Sequence, residues 1–238
     1  MLDDAEVRRV LAVVAHPDDI DFSAGGTIAT FTEKGIEVVY CVVTDGDAGG
    51  FDREVDDRGM AELRRAEQIA AGECVGVRDI RFLGYPDGRV EPSLELRRDI
   101  ARVIRQVRPD RVITMSPERD YQRIGRSHPD HRAVGGATLD AVYPDARNPY
   151  AFPELLAEEG LEAWTVREVW LSSPNPNHAV DVTATIDRKL AALRAHKSQT
   201  GHRDGFEERI RGNLAANAAR FGLPEGRYAE LFQVIDTA

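Results

Sequence analysis

Two short runs of this sequence carry side chains that could hold a metal ion and move protons beside it. The first is Ala15-His16-Pro17-Asp18-Asp19 and the second is His128-Pro129-Asp130-His131. A histidine and an aspartate three residues apart, completed by a distant histidine, can supply three N/O ligands to one Zn²⁺. Three protein ligands leave a position open for water, as in a catalytic rather than a structural zinc site. Asp18 and Asp130 remain beside such ligands. Hydrolysis at a metal needs a base for the water and an acid for the leaving group. The same residues also have plainer readings. His16 and Asp19 could share a loop hydrogen bond, and the acidic doublet could face the N-terminus of a helix, where carboxylates are stabilised.

The elements that must position these residues follow from hydrophobic pattern. Arg9 to Ala15 and Ile36 to Val43 are short valine-rich runs suited to buried strands. Ser23-Ala24-Gly25-Gly26 could start a helix reaching Lys34, with Gly35 as its stop. Asp57 to Gly72 has helical spacing, and Asp79 to Leu83 is a short strand. Ser93 can cap a helix whose apolar stripe is Leu96, Ile100, Val103, Ile104 and Val107. Arg111 to Met115 is the next strand, and Arg132 to Val142 a helix. Tyr143 to Ala163 holds three prolines and reads as an irregular insertion that could shape a pocket. A strand at Thr165 to Leu171, helices at Thr183 to His196 and Phe206 to Phe221, and a strand at Tyr228 to Ile235 complete the chain. Strands alternating with helices predict one α/β domain over residues 1–238: a Rossmann-like, mostly parallel sheet with helices on both faces. Ligands bind such sheets beyond the carboxyl ends of the strands. His16 to Asp19, Thr44-Asp45-Gly46 and the approach to His128 all follow strands, so the polar motifs gather at one sheet edge.

Composition sets limits. The chain has 238 residues, 42% of them hydrophobic, enough for a sizeable core. Its net charge of −10 argues against a nucleic-acid surface. Cys41 and Cys74 lie in apolar stretches and read as buried free thiols. The acidic start, Met1 to Glu6, lacks a basic region followed by an apolar run, and no segment approaches a membrane span. A cytoplasmic protein without a membrane partner is the expectation, and a homo-oligomer is compatible with it.

The motifs in order resemble those of the LmbE-like, or PIG-L, zinc-dependent de-N-acetylases. The matching residues are His16-Pro17-Asp18-Asp19, Gly25-Gly26-Thr27, Thr44-Asp45-Gly46 and His128-Pro129-Asp130-His131. Arg64 and Glu67 match an Arg-x-x-Glu helix, and Pro86-Asp87-Gly88 a Pro-Asp-Gly turn. Val180-Asp181-Val182-Thr183 and His196-Lys197-Ser198-Gln199 match the C-terminal pattern. The resemblance implies Zn²⁺ on His16, Asp19 and His131, with Asp18 as general base. It implies that His128 stabilises the oxyanion and protonates the amine, and that Asp130 holds His128 charged, since a nearby carboxylate favours imidazolium. It also implies that Arg64 and Asp87 contact sugar hydroxyls. Two positions depart from the pattern. Ile20 stands where the family has Glu, with Asp21 next, and Arg126 stands where the mycothiol-pathway branch has Tyr.

The expected activity is therefore removal of an N-acetyl group from an N-acetylglucosamine-containing small molecule, releasing acetate and a free amine. One alternative is a related metal-dependent amidase acting on another amide, such as a mycothiol conjugate or a secondary metabolite. Another is a Rossmann-like nucleotide-binding module without hydrolytic chemistry, but no Gly-x-Gly-x-x-Gly follows the first strand. Three histidines stand outside the motif pair. His178 could line the pocket or lie in a surface loop. His196, at a helix end, would complement the helix dipole, and His202 would be exposed.

Overall fold

Val-, Leu- and Ile-rich runs dictate the centre of the molecule. In the computed structural model, Arg9–Val14 (β1), Glu37–Thr44 (β2) and Arg111–Met115 (β4) are buried almost throughout. Continuous apolar runs of this kind suit strands covered on both faces. Alternate residues of β1 face opposite layers. Leu11 and Val13 join Leu96, Ile100 and Ile104, whereas Val10, Ala12 and Val14 join Ile20, Ala24 and Ile28. The structure describes residues 1–51, 55–122 and 124–237, with Arg126 described by its backbone alone.

The first layer is built by the helices Leu94–Val107 (α3) and Pro129–Asp140 (α4). The second is built by Asp19–Glu33 (α1), Asp57–Val75 (α2) and Ile186–Ala195 (α6). Ser93 caps α3 as its sequence predicts, accepting from the Leu96 amide, and Asp56 caps α2 through the Gly59 amide. Asp79–Tyr85 (β3), Glu168–Ser172 (β5), His178–Asp181 (β6) and Ala229–Asp236 (β7) complete one seven-stranded sheet of order β3-β2-β1-β4-β5-β7-β6. The remaining helices are Pro153–Ala157 (α5), Lys197–Thr200 (α7) and Phe206–Arg220 (α8). No helix among the described residues is long and apolar enough to cross a membrane.

The first five strands in this order pair in parallel, as expected for α/β alternation. The far side departs from the parallel pattern: β7 runs antiparallel to both β5 and β6. β6 itself is a four-residue edge strand carrying His178, where the sequence suggested a loop. Helix α1 starts at Asp19 rather than near Ser23, because Asp18 turns the chain directly into it with a left-handed backbone. The segment after α4 is only partly irregular. It forms a π-helical turn at Ala141–Ala146 and then α5. The fully buried Arg105 of α3 donates to the carbonyls of Asp145, Ala146, Asn148 and Ala151 and so fastens this segment to α3. Both cysteines are free thiols; Cys41 is buried and Cys74 half-buried.

Candidate metal centre

The sheet order reverses between β1 and β4, which pair through Val10 to Ala12 and Arg111 to Ile113. Ligand sites in open α/β sheets form at such a switch point, beyond the strand carboxyl ends. His16 to Asp19 leave β1 there. The second motif enters α4 after β4, with His128 as its N-cap and Pro129 at its first position. Gly135 allows α4 to lie this close, because a Cβ there would collide with the Met115 carbonyl at the end of β4.

Three donors face one another across this seam. Nδ1 of His16 is 3.2 Å from Nε2 of His131 and 3.3 Å from Oδ2 of Asp19. Nε2 of His131 is 3.1 Å from Oδ1 of Asp19. Tetrahedral zinc with bonds of about 2.0–2.1 Å separates its ligand atoms by roughly 3.3 Å, and these approaches, one to each oxygen of Asp19, are of that size. The same groups pair with one another. Burial would lower the basicity of His16, yet hydrogen bonds to Asp130, Asp19 and Asp87 push it up to about 12. Burial would raise the Asp19 carboxyl, but His131 and His16 hold it well below the usual range.

The other nitrogen of His16 is also engaged. Nε2 lies 2.9 Å from Oδ1 of Asp87 and 3.3 Å from Oδ2 of Asp130. His16, Asp87 and Asp130 therefore form a second compact group of donors, as do the three histidines 16, 128 and 131. Both oxygens of Asp130 already accept backbone N–H groups, from Gly88 at 2.7 Å and Val90 at 3.3 Å. Carboxylates so placed hold an imidazole by its N–H and leave the opposite nitrogen free for a metal.

Three expected site residues also make contacts within the protein. The Asp130 carboxylate addresses His16, and its contact with His128 runs through the backbone: the Asp130 amide donates to Nδ1 of His128 at 3.2 Å. Burial, with His16 and His131 nearby, lowers the pKa of His128 below the ordinary value. Asp87 faces His16 rather than open space. Arg64, expected at a sugar hydroxyl, is buried. It is 4% exposed and donates to the Pro17 carbonyl at 2.6 Å and the Gly46 carbonyl at 3.1 Å. Gly46, with a φ of +67°, leaves room for that guanidinium, since a Cβ there would collide with it.

Asp18 stands beside the triangle, with Oδ2 3.6 Å from Nη2 of Arg64. Burial, reinforced by Asp19, raises its carboxyl above the usual carboxylate range. Its amide donates to Oε1 of Gln68 at 2.8 Å. Gln68 did not stand out in the sequence, although it lies one helical turn after Arg64 on α2 and so shares its face. The outlying histidines fall elsewhere. His178 is half-buried against Trp170, with ring centres 5.1 Å apart. His196 is fully buried on Asp21 rather than complementing a helix end. His202 is exposed and its ring lies 4.0 Å from that of Phe51. The Arg126 side chain lies outside the described residues.

Comparisons with known proteins place the chain in a family. The family model described as GlcNAc-PI de-N-acetylase (PIG-L) matches residues 11–142, which span β1 to the end of α4. The diacetylchitobiose deacetylase of Thermococcus kodakarensis is 35% identical over 82% of this chain and 71% of its own length. A probable N-acetyl-alpha-D-glucosaminyl L-malate deacetylase 2 of Bacillus cereus is 34% identical over 81% of this chain and 84% of its own. The solved N,N'-diacetylchitobiose deacetylase of Pyrococcus horikoshii is 30% identical and covers 98% of this chain and 85% of that one, with a TM-score of 0.88. Matched in sequence, in fold and in the two motifs that meet at its switch point, the chain belongs to the PIG-L family of de-N-acetylases.

Proposed function

We propose that this chain hydrolyses the N-acetyl group of an N-acetylglucosamine-containing small molecule, using Zn²⁺ held by His16, Asp19 and His131. The observation that carries the reading is the approach of His16, His131 and the two oxygens of Asp19 to within 3.1–3.3 Å of one another, with Asp18 next in the chain. The substrates named for its relatives supply the class: an acetylated glucosamine in a disaccharide or joined to malate. The net charge of −10 is in keeping with a small-molecule substrate rather than a nucleic acid.

A divalent ion in the triangle supplies Lewis acidity toward an amide carbonyl and toward water. The chain's own residues do the rest. Asp87 and Asp130 hold Nε2–H of His16, which fixes the ring with Nδ1 toward the ion. Asp18 takes a proton from the attacking water as its oxygen bonds to the acetyl carbon. A carboxyl raised by burial suits this exchange near neutral pH. His128 accepts the Asp130 amide at Nδ1, so its proton sits on Nε2. From there a neutral imidazole donates a hydrogen bond to the developing oxyanion. The C–N bond then breaks, the proton held by Asp18 passes to the nitrogen, and acetate and the free amine leave.

The test is release of primary amine and acetate from N,N'-diacetylchitobiose, N-acetylglucosamine and N-acetylglucosaminyl malate by zinc-loaded protein. Turnover of at least one, abolished by chelation, supports the reading. Zinc-loaded protein that leaves all three intact overturns the substrate class.

A further inference from the structure

Asp18 is a non-glycine residue with a φ of +95°. Such a backbone is strained and persists only where the surroundings over-determine it. No side-chain cap secures this turn into α1. What holds it is buried behind it. The Asp18 amide donates to Oε1 of Gln68, and Nε2 of Gln68 donates to Oδ2 of Asp21 at 2.9 Å. Nε2 of His196 lies 2.8 Å from that same oxygen. Gln68, Asp21 and His196 are all 0% exposed.

The direction of each bond is fixed. An amide oxygen is required to accept from Asp18 N–H, so the Gln68 nitrogen must face Asp21. The Asp21 carboxylate can only accept, so His196 must present an N–H at Nε2. The chain of bonds therefore reads from a C-terminal histidine to one backbone amide at the metal centre, with one workable polarity. His196 is itself anchored. It ends α6 and begins α7, and two residues later Ser198 donates its amide and hydroxyl to Glu67, the neighbour of Gln68, at 2.8 and 2.6 Å. Gln199 reaches on to the Gly49 carbonyl. The mechanism above uses none of these residues.

The geometry points to His196, Asp21 and Gln68 as positioning residues that lock the left-handed turn at Asp18 and so aim its carboxylate at the reacting water. The inference rests on the reading of Asp18 as general base. None of the three residues belongs to the donor triangle, so their loss should disturb aim rather than metal binding. Misplacing a reacting group by about 1 Å can cost on the order of a hundredfold in rate.

The experiment compares zinc-loaded wild type with His196→Leu, Gln68→Leu, the double variant and His196→Gln. A glutamine amide reaches about as far as Nε2 of histidine and can restore the N–H toward Asp21. The measurements are kcat, KM, zinc per chain and hydrogen exchange at the Asp18 amide. The leucine variants should lose about ten- to a hundredfold in kcat, with zinc retained and KM within about threefold. The Asp18 amide should exchange faster, the double variant should be no worse than the poorer single one, and His196→Gln should recover most of the rate. Unchanged kcat and exchange in folded variants would overturn the inference, as would loss of zinc in step with activity. Should the leucine variants not fold, His196→Asn against His196→Gln makes the same comparison, because the shorter amide falls short of Asp21. Wild type that hydrolyses no acetylated sugar would instead sink the deacetylase reading, and the exchange measurement would still decide whether the turn is held this way.

Discussion

Oδ1 of Asp87 lies 2.9 Å from Nε2 of His16. The two residues come from different parts of the chain, the turn after β3 and the turn after β1. Their contact joins the Pro-Asp-Gly loop to the metal centre rather than to the solvent. It is reinforced from below by the Asp87 amide, which donates to Oδ1 of Asp47 at 3.0 Å.

Asp87→Asn should therefore weaken metal affinity rather than substrate affinity. Removing a carboxylate that orients a metal-bound histidine typically costs about 10–100-fold in affinity. Competition with a chelator of known strength measures this directly. An unaltered metal affinity with a raised KM would return Asp87 to the role of a sugar contact.

His131→Ala removes one of three donors. The purified variant should hold well under one zinc per chain where wild type holds about one, since two ligands make a poor site. Elemental analysis after zinc supplementation and desalting checks it. Equal zinc in the two proteins would mean that the ion sits on the other face of His16.

Asp18→Asn should keep its zinc and lose on the order of a hundredfold or more in kcat, the usual cost of removing a general base. Metal content and steady-state rates on one preparation are sufficient. Loss of zinc in this variant would place Asp18 among the ligands.

A fourth prediction concerns acid stability, far from the site. Burial would raise the Asp110 carboxyl, but the amides of Arg8 and Arg9 and the guanidinium of Arg167 lower it. A carboxyl depressed in the folded state contributes stability above its unfolded pKa of about 3.9 and loses that contribution as pH falls through the folded value. Asp110→Asn should cost on the order of 1 kcal/mol at pH 6, and the gap to wild type should shrink below about pH 4. Urea denaturation at both pH values reads the difference. A gap that persists undiminished at low pH would assign the loss to packing instead of charge.

The central strands were legible because β1, β2 and β4 are unbroken apolar runs, and the two His-Pro-Asp motifs were legible because they follow such strands. Burial on both faces left little freedom in how these strands pair. The carboxylates were harder. Asp87, Asp130 and Asp18 all lie within reach of charged partners, and which oxygen meets which nitrogen depends on loops from β3 and α4 packing together. The resemblance supplied residue types at the site but not the contacts of Asp130 with His16 or of Arg64 with the Pro17 carbonyl. Arg64 could not be read as buried from sequence, because a guanidinium under a loop and one on a wet helix face share the same helical spacing. β6 was missed because four residues at a sheet edge carry too little hydrophobic pattern to show alternation. His196 was assigned to a helix end, which is where it sits, but the sequence could not show Asp21 waiting beneath it.

The seam between β1 and β4 also ties the metal to folding. His16 and His131 are 115 residues apart along the chain and meet only once the sheet has formed. The unfolded chain thus offers isolated donors and no preassembled triangle. An ion bound to the triangle stabilises the folded state by RT ln(1 + [M]/Kd), about 2.7 kcal/mol at a free concentration of a hundred times Kd. With Zn²⁺ bound as proposed, metal supply would set the folded population as well as the catalytic one. Melting temperature should rise with free zinc in wild type and stay flat in His131→Ala.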